Sequence, residues 1–289
     1  MKLGTRASTL ALTQSSWVAD MLRSHGHEVE IVTIRTRGDH ERGSLTTVSG
    51  LGVFAAELRS ALLRGEVDLA VHSLKDLPVE TVPGLLIAAI PDRESPYDAL
   101  CSRDGLTLEA LPAGARVGTG SPRRVAQLRA LRPDLVFVDI RGNIDTRLAR
   151  VAPGDLDAVV LAAAGLRRLG LAGRITEELS ILPAPGQGAL AVECRADDDS
   201  LIAALEVFDD AGTRLAVAEE RAVLAALGGG CAAPIASLGA TGKLLAGVYS
   251  ADGACDARTE VPLTAGAGER AATRLLEAGA ASVTQLNAS

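Results

Sequence analysis

Two stretches of this sequence hold residue types that can do chemistry. Residues 72–78 read His-Ser-Leu-Lys-Asp-Leu-Pro, which puts an imidazole, a hydroxyl, an amine and a carboxylate (His72, Ser73, Lys75, Asp76) within five positions. They follow Asp68-Leu69-Ala70-Val71, which predicts a strand, and open α/β sheets bind ligands at the carboxyl ends of strands. A solvated turn stopped by Pro78 is the plain alternative. Residues 228–231 read Gly-Gly-Gly-Cys and follow a predicted helix over 213–227. Gly228 is the expected left-handed cap of that helix, and three glycines leave the backbone open to close approach. Cys231 is then a thiol on a thin loop, able to carry something bulky, or else a small buried hydrophobe.

Arginine recurs where a predicted strand turns into a predicted helix. Arg6 follows strand 2–5, Arg123 and Arg124 follow strand 116–118, Arg141 follows strand 135–140, and Arg168 follows strand 157–161. A helix start offers unpaired N–H groups and the positive end of a dipole, and both favour an anion. Arginine adds a planar fork suited to carboxylate or phosphate. One such junction is commonplace, and its arginine is then a solvated or packing residue. The repetition points to a ligand with several negative charges along an extended body. Neither a G-x-x-x-x-G-K-[ST] loop nor a G-x-G-x-x-G after a strand is present, so nucleotides are not the obvious ligand.

The elements that must position these groups follow an α/β rhythm. Strand 2–5, a helix to about residue 24 and strand 28–34 open a domain with a largely parallel sheet. Ser8 is the expected N-cap of that helix, with Leu10, Trp17, Val18 and Met21 on its buried face. Residues 36–52 are polar, glycine-rich and without apolar period, and read as a flap over a cleft. A helix with Phe54, Leu58, Ala61 and Leu62 inward follows. Proline-rich crossings near 91–96 and 183–188 mean that the chain leaves its first domain and returns to it. The expected domains are 1–91 with 189–210, then 92–188, then 211–289, the last a smaller α/β unit.

Composition sets the limits. With 289 residues and 47% hydrophobic content the chain can build two or three cores, while 2% aromatics removes base-stacking surfaces. A net charge of -7 argues against a general nucleic-acid or membrane-surface binder, so any anion site is local. Of 29 basic residues 26 are arginine, so arginine abundance proves nothing and Lys75 stands out as one of three lysines. Cys101, Cys194, Cys231 and Cys255 form no C-x-x-C pair, which suits neither zinc nor a disulfide framework. Four thiols and no signal peptide predict a reducing cytoplasm. No apolar run is long enough to cross a bilayer.

The ordered set of motifs resembles the porphobilinogen deaminase (hydroxymethylbilane synthase) family. The matching stretches are Thr5-Arg6-Ala7-Ser8, Thr36-Arg37-Gly38-Asp39, the heptapeptide at 72–78 and Gly118-Thr119-Gly120-Ser121-Pro122-Arg123-Arg124. After them come Arg141-Gly142-Asn143 with Thr146-Arg147, Ala164-Gly165-Leu166-Arg167-Arg168, Gly186-Gln187-Gly188 and Gly229-Gly230-Cys231. The resemblance fades after Pro234. It implies three α/β domains, the first two like a periplasmic binding protein with a double hinge. It implies a dipyrromethane cofactor joined to Cys231 by a thioether. Four porphobilinogens are then added head to tail with loss of ammonia, and water releases a linear hydroxymethylbilane. By the same resemblance Asp76 is the catalytic acid. Ser73, Lys75, Asp39, Thr119, Ser121, Arg123, Arg124, Arg141 and Gly142 hold the cofactor. Arg6, Ser8, Gln14, Arg141, Arg147, Arg168 and Gln187 hold substrate. No metal is implied. The expected form is a cytoplasmic monomer that passes its product to uroporphyrinogen-III synthase. Porphobilinogen carries an acetate and a propionate, so its oligomer is the polyanion that the arginine junctions ask for. A buried carboxylate at Asp76 would stabilise the cationic azafulvene left by loss of ammonia.

Two positions depart from the family pattern. Leu51 stands where the flap commonly has lysine, and Gly120 stands where serine is usual. The alternative reading is a binding or sensory module of the same fold that captures a small polyanion.

Overall fold

Short apolar runs make the strands, and helices cover both faces of each of the two five-stranded sheets. The computed structural model describes residues 1–34, 51–228, 233–254 and 256–281, with the backbone alone at 51–54. The expected flap at 36–52 therefore falls almost wholly outside the described residues, as do Asp39, Cys231 and Cys255. The chain divides into two compact units, Met1–Arg93 with Ala189–Arg214, and Glu94–Gly188 with Leu215–Ser289.

The first unit holds β1 (Lys2–Thr5), α1 (Thr9–Ser24), β2 (Glu30–Thr33), α2 (Leu51–Leu63), β3 (Leu69–Ser73) and β4 (Leu85–Ala89). Its sheet has the order β2-β1-β3-β10-β4, where β10 is Leu190–Arg195 and α6 (Asp199–Glu206) follows it. β1 pairs in parallel with β2 and β3, while β10 is antiparallel to β3 and β4. The sheet is thus mixed rather than simply parallel, because the returning strand enters between β3 and β4 in the reverse sense. Alternation on β3 sends Leu69 and Val71 to a core with Val18 and Leu22, and Ala70 to a core with Leu58 and Leu62.

The buried stripe of α1 is not the one expected. Ser15, Val18, Ala19 and Leu22 face inward, and Trp17 is 45% exposed. The aromatic ring drew the expected face round by one position. Small residues, Ser15 and Ala19, are what let this helix lie close on the sheet.

The second unit repeats that topology. It contains β5 (Asp98–Ser102), β6 (Arg116–Gly118), α3 (Pro122–Leu131), β7 (Val136–Val138), α4 (Ile144–Leu148), β8 (Ala158–Ala162), α5 (Ala163–Arg168) and β9 (Glu177–Leu179). The order is β7-β6-β8-β5-β9, with β6 parallel to β7 and β8, and β5 antiparallel to β8 and β9. Here too one reversed strand arrives from the other unit and sits next to the third parallel strand. Neither β5 nor β9 was expected from the sequence.

The rest of this unit is α7 (Ala211–Ala226), which starts in the first unit, then the antiparallel sheet β11 (Ile235–Ala240), β12 (Lys243–Tyr249) and β13 (Asp256–Pro262), and α8 (Ala267–Glu277). Gly228 takes the left-handed conformation expected of it, with φ +63°. Two buried acids of α7 hold backbone N–H groups. Glu219 accepts from Gly266 and Gly268 at the start of α8, and Glu220 accepts from Gly186 at 2.7 Å and Gly239 at 2.8 Å. Among the described residues no helix is long and apolar enough to cross a membrane.

Candidate active site

In the first unit β1 and β3 lie side by side in the same direction, so both carboxyl ends open on one edge. β1 delivers Arg6 and Ser8, and β3 delivers Ser73, Lys75 and Asp76. The Ser8 hydroxyl caps α1 by accepting from Ala11 N at 3.4 Å. Gln14 is buried on α1 and meets Ser73: Gln14 Nε2 donates to Ser73 Oγ at 3.0 Å, and that hydroxyl donates to Gln14 Oε1 at 3.1 Å.

Leu74–Asp76 is a single 3-10 turn. Leu74 and Leu77 both point into the core, and Leu74 N donates to Ala189 O at 3.0 Å. That inward pull on either side turns Asp76 outward. Asp76 is exposed and Lys75 half-buried, so the expectation of a buried carboxylate is corrected. Its charge is met by solvent in this structure, and only a covering ligand or segment could desolvate it.

A buried cluster that sequence reasoning missed lies behind the turn. Glu193 on β10 accepts from Arg59 Nε at 3.0 and 3.1 Å, and His72 Nε2 lies 3.1 Å from Glu193 Oε2. Burial pushes the Glu193 carboxyl up, but the hydrogen bonds from His72 and Arg59 outweigh it and leave the group below its ordinary value. The signal was present: an acid between Val192 and Cys194 in an otherwise apolar strand needs a partner.

In the second unit the parallel strands β6, β7 and β8 also end on one edge. After β6, Thr119 is buried, with its N–H on Val138 O at 3.0 Å and its Oγ1 accepting from Ser121 N at 3.3 Å. Ser121 and Pro122 start α3 as expected, yet Ser121 caps by position only, since its side chain makes no capping hydrogen bond. Gly120 has no room for a side chain: a Cβ would stand 2.7 Å from the carbonyl oxygen of Ile140. After β7, Arg141 Nε lies 3.6 Å from Asp139 Oδ2, and its Nη1 is buried without a hydrogen-bond partner. Gly142 has φ +105° and gives its carbonyl to Arg147 Nε at 2.8 Å. Asn143 caps α4 through Thr146 N as expected. Arg168 on α5 donates from Nη2 to Gly188 O at 2.7 Å, and burial lowers its pKa.

Arg123 and Arg124 do not project from their junction as open forks. Both are buried on one carboxylate, that of Asp98, the first residue of β5. Arg124 reaches Oδ1 with Nε at 2.9 Å and Nη2 at 2.7 Å, and Arg123 Nη2 reaches Oδ2 at 2.8 Å. Gln187 Nε2 donates to Oδ1 as well, at 2.9 Å. Burial pushes the Asp98 carboxyl up, and the two guanidiniums beside it more than reverse this, holding it well below the usual carboxylate range. Arg124 Nη1 also donates to Val160 O at 2.9 Å, and Arg123 Nη1 to Leu182 O at 2.6 Å. Asp98 was not foreseen: its partners lie 26 and 89 positions away, beyond any local pattern.

Burial pushes the thiols of Cys101 and Cys194 up to about 11 each, which makes them poor nucleophiles. Among the described residues no group of His, Cys, Asp and Glu could hold a metal ion.

Fold and site together define an α/β protein with donor-rich, arginine-lined strand ends. The family model described as "Porphobilinogen deaminase, dipyromethane cofactor binding domain" matches residues 1–203. The porphobilinogen deaminase of Cutibacterium acnes is 52% identical over a 327-residue alignment that covers 100% of this chain and 98% of that protein. Porphobilinogen deaminase 1 of Streptomyces coelicolor is 56% identical over 246 residues, covering 82% of this chain and 77% of the relative. Among solved structures, the methionine-binding protein MetQ aligns with TM-score 0.46 at 13% identity, over 76% of this chain and 93% of that one. The chain belongs to the porphobilinogen deaminase family. The alternative of a polyanion-capturing module is not favoured by these relatives.

Proposed function

We propose that this chain carries out the hydroxymethylbilane synthase reaction with Asp76 as its catalytic residue and Cys231 as the covalent anchor of the cofactor. The reaction joins four porphobilinogens head to tail, each losing ammonia, and water releases the linear tetrapyrrole. One observation supports this reading most strongly: a chain matching porphobilinogen deaminases over its whole length also gathers arginine, lysine and hydroxyl donors at the strand ends of both units.

A dipyrromethane carries acetate and propionate groups, and the second unit suits them. Two buried guanidiniums share one carboxylate at Asp98, and Arg141 Nη1 is a buried donor without a partner. Arg123, Arg124, Arg141, Thr119, Ser121 and Gly142 would hold the group there, with Ser73, Lys75 and Asp39 from the other unit's sequence. When bound, it supplies the pyrrole carbon to which porphobilinogen is joined.

Arg6, Ser8, Gln14, Arg147, Arg168 and Gln187 are assigned to the incoming porphobilinogen and the growing chain. Loss of ammonia turns porphobilinogen into a cationic azafulvene. The Asp76 carboxylate, next to Lys75 at the end of β3, stabilises that charge and orients the pyrrole N–H groups. It also takes up the proton released when the new bond forms. Residues 211–289 are read as a separate third domain, the protein as a cytoplasmic monomer, and its product as the substrate of uroporphyrinogen-III synthase.

The test is intact-protein mass with turnover. The wild-type chain should carry an adduct of two linked pyrroles on Cys231 and consume porphobilinogen. Cys231→Ser should fold without the adduct. A bare and inert wild-type chain, even after incubation with porphobilinogen, would overturn the reading.

A further inference from the structure

The Asp98 cluster holds two guanidiniums and one carboxylate, all buried. Among the described residues no other acid is paired with Arg123 or Arg124. An uncompensated ion out of water is costly, so a second anion beside this cluster would be favoured. This cluster keeps one positive charge in excess, at the edge of the sheet where the parallel strands end.

The topology explains how the carboxylate gets there. β5 is the reversed strand, so its first residue lies beside the last residue of β8, in the register Asp98 to Ala162. A parallel strand in that place would bring Asp98 to the opposite edge, away from the start of α3. Gln187, just before the chain leaves the unit, ties Asp98 Oδ1 and Pro96 O with one amide at 2.9 and 2.7 Å. Four segments are thereby locked to one carboxylate: the start of α3, the start of β5, β8 through Val160 O, and the Gln187 turn.

We propose that Asp98 is a positioning residue of the deaminase reaction: it fixes the Arg123 and Arg124 guanidiniums for a carboxylate-bearing pyrrole while leaving their charge only half neutralised. Asp98 does not touch the pyrrole and acts through the two arginines. The inference rests on the reading above, in which those arginines hold cofactor carboxylates.

The test uses the full chain, made in cells unable to form porphobilinogen. The readout is the porphobilinogen concentration at which half the protein gains the Cys231 adduct, followed by intact mass, with circular dichroism to count folded protein. If wild type gains no adduct, the functional reading fails, and the inference with it. With wild type loading, Asp98→Asn should need at least tenfold more porphobilinogen per folded molecule. A merely structural aspartate would lower the melting temperature and leave that concentration unchanged, which would overturn the proposal. Should Asp98→Asn not fold, Asp98→Glu decides. It keeps the charge but displaces both guanidiniums, so at least a threefold rise is expected, and wild-type loading would overturn the proposal. Failure of both variants to fold would mark Asp98 as a fold element and also overturn it.

Discussion

Gln14 and Ser73 form a closed pair in which one amide and one hydroxyl each donate and accept, at 3.0 and 3.1 Å. The pair bolts α1 to the last residue of β3, three positions before Asp76. Gln14→Ala removes both bonds and leaves the hydroxyl without its partner, at a cost of about 1 kcal/mol. The melting temperature should fall by about 2–4 °C for a chain of this size. Turnover should fall further, by roughly tenfold, because the acid's placement depends on the turn. Equal small losses in stability and rate would show that the pair serves the fold alone.

Asp76→Asn keeps the shape of the turn and removes its charge. The residue is exposed, so stability should hardly move. Turnover should fall on the order of 100-fold or more, as when a well-placed electrostatic group is lost. Single-turnover kinetics with porphobilinogen measures this, and near-normal turnover would remove Asp76 from its role.

Acid should expose the Glu193 cluster. The carboxyl is held below its ordinary 4.5 in the folded protein, so its contribution is full above that value and is lost as the pH falls through the lower folded pKa. At pH 6–7, Glu193→Gln should cost about 3 kcal/mol, the penalty for breaking a buried pair. The gap in melting temperature between variant and wild type should narrow as the pH drops below about 4.5. A gap independent of pH would mean that charge is not what Glu193 contributes.

Two glycines should resist even small substitutions. Gly188 has φ +90°, and a Cβ there would overlap Glu94 O and stand 2.8 Å from Ser95 O. Gly188→Ala should cost about 3 kcal/mol, from left-handed strain and the displaced backbone together. Gly120→Ser would restore the residue usual in the family, yet its Cβ meets the Ile140 carbonyl at 2.7 Å. The Ile140–Arg141 loop must then shift. Thermal melts should show a loss of about 1–3 kcal/mol, with weaker cofactor loading because Arg141 moves too. A Gly120→Ser protein as stable as wild type would show that the loop yields freely.

Local signals were legible and distant ones were not. Ser8, Asn143 and Gly228 announced their helix boundaries because capping is settled within four residues. The ends of β1, β3 and β6 were readable because a strand-forming run stops at a polar cluster, and the end of β8 because its branched residues give way to Ala-Ala-Gly. Asp98 and Glu193 were not anticipated. Each lies on the one reversed strand of its sheet, and its arginine partner comes from a helix far away in sequence. The same gap misjudged Arg123 and Arg124, which look like solvent-facing forks until Asp98 is placed between them. Asp76 was expected inside because its chemistry favours a dry site, whereas Leu74 and Leu77 claim the interior and turn it out. The face of α1 was misread because Trp17 weighs more in a pattern than Ser15, although the smaller residue sits against the sheet.

Gly253 rests against α3 with no side chain of its own. An added Cβ would stand 2.8 Å from Ala126 O and 2.9 Å from Ala130 N, and Arg129 Nη1 reaches Ala251 O at 2.8 Å beside it. The turn between β12 and β13 is thus fitted to the back of α3, the helix that carries Arg123. Any side chain at position 253 should be resisted, because it would meet the backbone of that helix. A lineage that loses this glycine should carry a matching change on the helix it leans upon.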